Sequence, residues 1–231
     1  MGRGSGAGVV DQQDDKPEGA RIGWRLRETT RPFTTPWLRL REDRVAITND
    51  GKDGTAPDPV DTVTEITYTY LESGPAVFIV PVTDDGRMLL IRQYRYTVDD
   101  WLLEVPAGGA HDKPNISLED LARDELREET GATCDTVERV GSFYGSTSKT
   151  DQQCHVFLAR GAKIVGPPAL EPTERIALYP LPIADAVRLA RSGGMKDGQS
   201  ALSVLLCEDT LRRHGYLDPD HLSCENVASM Q

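Results

Sequence analysis

The sequence has no apolar run long enough to cross a bilayer. The longest lies near residues 76–82, far short of the roughly 20 residues a spanning helix needs. The N-terminal stretch lacks the apolar core of a secretory signal peptide. Cysteine is scarce, and Cys134, Cys154, Cys207 and Cys224 stand far apart with no C-x-x-C pair. That spacing speaks against a zinc site or disulfide framework and for reduced thiols. Basic residues are in deficit, with Lys+Arg 26 against Asp+Glu 37 and a formal net charge of −11. Phosphate backbones and anionic membranes need clustered Lys and Arg, so neither nucleic acid nor membrane is an expected partner. The expectation is a soluble, cytoplasmic protein whose surplus carboxylates leave room for a divalent metal.

A chain of 231 residues with 38% apolar content suits one large domain, or a medium domain with an appendage. Residues 1–20 are rich in Gly, Asp and Gln and read as a disordered leader. Within 21–74, residues 37–47 and 63–72 alternate apolar and polar around a Gly-, Asp- and Pro-rich loop at 49–61. That pattern predicts two or three antiparallel strands. So few strands bury little alone, which points to a partner subunit and makes 21–74 an expected dimerisation subdomain.

The main domain is expected at 75–215, with a C-terminal tail at 216–231. Strands are predicted at 76–82 and 88–96, then an apolar strand from Trp101 that ends in the glycine pair of a P-A-G-G turn at 106–109, then a helix at 115–130. Ser117 and Asp120 form a capping-box pair for that helix, and Gly131 its stop. Strands at 136–144, 153–159 and 171–181 precede helices at 183–192 and 198–214. Such a mixture predicts an α/β (α+β mixed) fold, helices packed on a mixed sheet.

Within the first long helix, Glu125, Glu128 and Glu129 stand at i, i+3 and i+4 and share one face. Asp124 adds a fourth negative charge. On an isolated helix such a run is usually a solvated face, here softened by Arg123 and Arg127. This helix, however, follows a P-A-G-G turn at the end of an apolar strand, where Gly108 and Gly109 let backbone approach a ligand. A backbone carbonyl with several carboxylates is what a hard cation such as Mg²⁺ requires. A metal there would relieve the repulsion and bring a phosphate and a water together.

The segment D-E-L-R-E-E-T-G-A, residues 124–132, resembles the second half of the Nudix box, G-x5-E-x7-R-E-U-x-E-E-x-G-U with U aliphatic. R-Q-Y-R at 92–95, W-L-L-E-V-P-A-G at 101–108 and L-P-I-A-D-A-V-R-L-A-R-S-G at 181–193 resemble the ADP-ribose pyrophosphatase branch of that family. The resemblance spans roughly residues 37–215. It implies a Nudix α/β/α sandwich with a mixed sheet, plus a small N-terminal antiparallel β-subdomain. It also implies hydrolysis of a nucleoside diphosphate linked to a sugar, through water attack on phosphorus. Mg²⁺, with Mn²⁺ as the alternative, would sit on the Ala107 carbonyl, Glu125 and Glu129, with Glu128 nearby. Two departures stand out. The box arginine is replaced by Asp124, with Arg123 displaced by one, and Pro114–Asn115 lie near where the first box glutamate belongs.

The same resemblance proposes the remaining roles. Glu174, then Glu171, is the candidate general base or extra metal ligand in the loop before the last core strand. Arg95 suits phosphate oxygens through its planar fork. Trp37, and less strongly Trp24, could stack on a nucleobase, often across a dimer interface in this branch. Glu104 could touch the ribose or terminal sugar. ADP-ribose, cleaved to AMP and ribose 5-phosphate, leads as substrate. GDP-mannose or another nucleotide sugar is the alternative, since Thr147 stands where ADP-ribose enzymes commonly carry proline. A catalytically degenerate nucleotide-binding module is the reading from a different class.

Overall fold

The computed structural model describes residues 16–48, 63–110 and 115–218. They fall into two compact units, one running to Ser73 with Ser146–Asp151 added, the other Gly74–Gly145 with residues from Gln152 onward.

The first unit opens with a short helix α1 (Pro17–Arg21), which occupies the last part of the expected leader; residues 1–15 lie outside the described residues. Three antiparallel strands follow in the order β1-β2-β3: β1 (Trp24–Thr34), β2 (Arg39–Ile47) and β3 (Thr64–Glu72). The strand expected from Trp37 begins at Arg39. Pro36 interrupts, and the Thr35 hydroxyl accepts from the Trp37 and Leu38 amides, at 3.2 and 3.0 Å, to make a turn. Trp37 is left 76% exposed in that turn. The unit's interior is partly ionic. Arg41 and Asp43 are buried, joined at 2.8 Å, and Glu72 gathers Arg31, Arg39 and Arg41. Segment 146–151, which includes Thr147, lies along β3: the Leu71 amide donates to Lys149 O at 2.8 Å and the Ser73 amide to Asp151 at 2.8 Å.

The second unit is built on β4 (Ala76–Val82), β5 (Arg87–Arg95), β6 (Asp100–Glu104), β7 (Ala107–Gly109), β9 (Thr136–Tyr144), β10 (Gln153–Arg160) and β12 (Ile176–Pro182). A separate pair joins β8 (Ala132–Thr133) to β11 (Lys163–Ile164). The sheet order is β12-β5-β4-β10-β9, with β6 on β5 and β7 on β4. β10 runs parallel to β4 and the other pairs are antiparallel, so the sheet is mixed as predicted. Helices cover it: α2 (Leu118–Thr130) on one side, α3 (Ile183–Ser192) and α4 (Gly198–Arg213) on the other.

β4 shows why this sandwich forms. All seven of its residues are buried, and the strand's two-residue period divides them between two cores. Ala76, Phe78, Val80 and Val82 pack with α3 and α4, while Val77 and Ile79 pack with Leu121 and Leu126 of α2. Three boundaries differ from expectation. The strand expected from Trp101 stops at Glu104 as β6, and the P-A-G-G turn expected after it carries the short strand β7; Pro106 between them has no N–H for the ladder, and its carbonyl accepts from Ile79 N at 2.9 Å. β12 starts at Ile176, five residues into the predicted strand, after a turn containing Pro172. α2 begins at Leu118, because Ser117 caps it by accepting from Asp120 N at 3.0 Å.

Candidate active site

Sequence order brings β6, β7 and α2 together through the Pro106 break, and the carboxylate helix lands beside the glycine turn. β7 lies antiparallel to β4, with Ala107 opposite Phe78, Gly108 opposite Val77 and Gly109 opposite Ala76. Leu121, Ala122 and Leu126 anchor α2 in the core, which sets Glu125 and Glu129 one turn apart along the edge facing β7. Gly108 receives the Glu125 carboxylate directly: a Cβ on that glycine would meet Glu125 Cδ at 2.2 Å. The Glu129 carboxylate, 4% exposed, accepts the Ala107 N–H at 2.9 Å. Glu128 is half-buried on the same helix.

Arg95 closes the other side. Its Nε donates to Glu104 Oε1 at 2.8 Å and its Nη2 to Oε2 at 2.5 Å. Glu104 is 2% exposed, so both its oxygens serve Arg95. Next to Glu104, the Val105 amide donates to Ser200 Oγ at 3.2 Å in the first turn of α4, whose N-cap is Asp197. The loop before β12 folds on itself: Glu171 N donates to Glu174 Oε2 at 2.8 Å and Glu174 N to Glu171 O at 3.0 Å. Glu174 is half-buried and Glu171 exposed.

Electrostatics ties these groups into one site. Burial, then the charges of Glu125 and Glu174, push the Glu129 carboxyl well above the usual carboxylate range, against the Ala107 N–H and Arg95. The bond to Glu104 raises Arg95 above its ordinary value, with further support from Asp197 and Glu129. The structure thus gathers Arg95, Glu104, Ala107, Gly108, Glu125, Glu129 and Glu174. Trp37 and Trp24 belong to the other unit. His155 is 5% exposed on β10, its Nδ1 at 2.8 Å from Arg139 Nη2.

Hard oxygen donors gathered at one place suit a divalent cation, and Glu125 and Glu129 could hold one. Among the described residues, no three His, Cys, Asp or Glu side chains form a closed cage, so backbone oxygen and water would complete the shell. The displaced Arg123 does not replace the box arginine. Its Nη1 donates to Cys134 O at 3.1 Å and Cys134 Sγ at 3.4 Å, off the far end of the helix. The Ala107 amide orients Glu129 instead. Sequence reading did not find Asp197 or Ser200. Their only signal was the helix-cap spacing D-G-Q-S, which says nothing about the neighbouring strand.

Comparison with known proteins gives a consistent frame. The NUDIX domain family matches residues 72–194. The chain is 30% identical over 130 residues to the ADP-ribose pyrophosphatase of Bacillus subtilis (strain 168), covering 56% of this chain and 69% of that protein. It is 27% identical over 175 residues to the GDP-mannose pyrophosphatase of Yersinia enterocolitica, covering 72% of this chain and 85% of that one. A crystal structure described as an ADP compounds hydrolase shares the fold, with a TM-score of 0.67 at 17% identity over 84% of this chain and 97% of the other.

Proposed function

We propose, from the premise that this chain belongs to the NUDIX family, that it hydrolyses the pyrophosphate bond of a nucleoside diphosphate linked to a sugar, with ADP-ribose as its first substrate. The observation that carries the reading is the meeting of Glu125 and Glu129 with the Ala107–Gly108 backbone beside Arg95.

Mg²⁺, with Mn²⁺ as the alternative, would be held by Glu125, Glu129 and the Ala107 carbonyl with Glu128 nearby, and would supply Lewis-acid neutralisation of the pyrophosphate oxygens. The chain's own residues do the rest. Arg95, held by Glu104, presents its remaining N–H edge to a phosphate oxygen. Glu104 acts by holding Arg95, since its carboxylate is enclosed and doubly bonded. Glu174 takes the proton of the attacking water, because its charge reaches Glu129, while Glu171 sits exposed at the loop's edge. Water oxygen bonds to one phosphorus as the bridging P–O bond breaks, releasing AMP and ribose 5-phosphate. Gly108, by lacking a side chain, lets the Glu125 carboxylate lie against the β7 backbone.

Two further parts belong to the same reading. The N-terminal sheet pairs with a second copy of the chain, supported by its exposed Phe33 and Trp37. Trp37 stacks on the nucleobase. Static light scattering tests the first, and a stable monomer at micromolar concentration would overturn it. The cytoplasm is the fitting compartment, since Cys134, Cys154 and Cys207 are free thiols. GDP-mannose is the second substrate reading, favoured by the wider coverage of the Yersinia relative. An assay of phosphomonoester formation from ADP-ribose, GDP-mannose and UDP-glucose, with and without Mg²⁺, decides among them. Tight binding without turnover of any of the three would reject hydrolysis.

A further inference from the structure

A pocket of about 370 Å³ opens where β5, β6 and β12 meet the end of α3. Its place follows from strand register. Met88 and Leu90 of β5 lie in the core under α3 and α4, and Arg92 is the next residue on that face of the pleat. Tyr179 of β12 pairs with Leu90, and Trp101 of β6 pairs with Tyr94, so the two rings flank Arg92 on either side. Leu189 of α3 and Lys196 close the pocket. The carboxylates of α2 belong to the opposite face of the sheet.

The lining is unlike the rest of this acidic protein. Arg92 and Lys196 face a single carboxylate, Asp100. Lys196 Nζ stands 3.1 Å from Asp100 Oδ2 in a pair 70% and 48% exposed, and so open an ion pair contributes little. Arg92 is exposed on an otherwise buried stretch of strand, and Lys196, the Trp101 amide and Arg92 together hold the Asp100 carboxyl below its ordinary value. Trp101 and Tyr179, each 44% exposed, offer aromatic surface beside these cations. A planar guanidinium and a mobile ammonium match a phosphate dianion, and a flat ring matches a base or sugar face. The volume falls within the range of small-molecule sites.

We propose that this pocket is a second ligand site, distinct from the hydrolytic one, for a phosphomonoester such as a nucleoside monophosphate or a sugar phosphate. Its occupant draws Lys196 from Asp100 and sits on Arg92. Under the proposed reaction both products belong to this chemical class, which makes the site a sensor of product. The site's existence does not rest on hydrolysis, because binding is measured with the reaction silent.

The full chain in EDTA is titrated with AMP, ribose 5-phosphate and adenosine by calorimetry, with Trp101 fluorescence as a second readout. Binding of AMP or ribose 5-phosphate is expected, and which of them binds identifies the source. Combining Arg92→Ala with Lys196→Ala is expected to weaken it about tenfold or more. Arg92→Lys should recover part of the loss, and Arg95→Ala, which removes a phosphate contact of the hydrolytic site, should keep the binding component that the double variant loses. Unaltered affinity in the double variant, adenosine binding as tightly as AMP, or loss of that component in Arg95→Ala would each overturn the assignment.

Discussion

A β-carbon on Gly108 would lie 2.2 Å from Cδ of Glu125 and 2.4 Å from each of its carboxylate oxygens. Backbone and carboxylate therefore occupy one another's van der Waals limit, and Gly108→Ala must displace Glu125. Because that side chain can swing out, the fold is expected to hold within about 1 kcal/mol while turnover falls at least about tenfold. Steady-state kinetics beside a thermal melt separates the two effects. Wild-type turnover in Gly108→Ala would remove Glu125 from the site.

Glu129→Gln keeps an acceptor for the Ala107 N–H but removes the charge. Turnover is expected to fall by orders of magnitude, with stability unchanged or raised, since a buried anion near Glu125 and Glu174 is relieved. Single-turnover assays and urea melts check both halves. Turnover close to wild type would overturn the metal assignment.

Arg95 and Glu104 should behave as a unit in a double-mutant cycle. Arg95→Leu strands a carboxylate that is 2% exposed and is expected to cost about 2–3 kcal/mol. Adding Glu104→Gln should return part of that stability, but not activity. Simple additivity in chemical denaturation would mean that the two do not support one another.

The loop glutamates differ in what they face. Glu174→Gln is expected to lower kcat about 10²- to 10⁴-fold. Glu171→Gln should change it only a few-fold, because Glu171 is exposed and contributes its backbone to the turn. Equal losses in the two variants would disfavour Glu174 as the base.

Acid should loosen the N-terminal sheet. The Arg31 guanidinium bonded to Glu72, with Arg41 and Arg39, lowers that carboxyl from 4.5 to about 2 against its burial. A depressed carboxyl stabilises the fold fully above its unfolded value and ceases to do so as pH falls from about 4.5 toward 2. The loss is on the order of 2 kcal/mol, allowing for the exposure of Arg31 and Arg39. Wild type should lose more stability than Glu72→Gln between pH 7 and pH 3, by urea denaturation. Parallel losses would show that Glu72 does not carry the effect.

Much of this site was legible because its residues lie close in sequence. The i, i+4 spacing of Glu125 and Glu129 is fixed by helix geometry alone, and the P-A-G-G turn precedes it by a short connection. The strand at Thr136–Tyr144 fell where the sequence placed it. What stayed hidden depended on distant pairing. Nothing in D-W-L-L-E reveals that Glu104 is consumed by Arg95, because that contact requires the β5–β6 register. Ser200 holding the Val105 amide joins residues 95 positions apart. Pro106 marked a turn in the sequence, yet the three residues after it pair with β4 as β7, a contact that P-A-G-G does not reveal.

β4 has solvent on neither side, and its alternate side chains belong to two different cores. No helix of the second unit can therefore peel away and leave the other's footing intact. Loosening α3 or α4 bares the back of the strand against which α2 sets its glutamates. The catalytic face and the helical cover behind it should accordingly melt as one cooperative block, with the amides of β4 among the last to exchange with solvent.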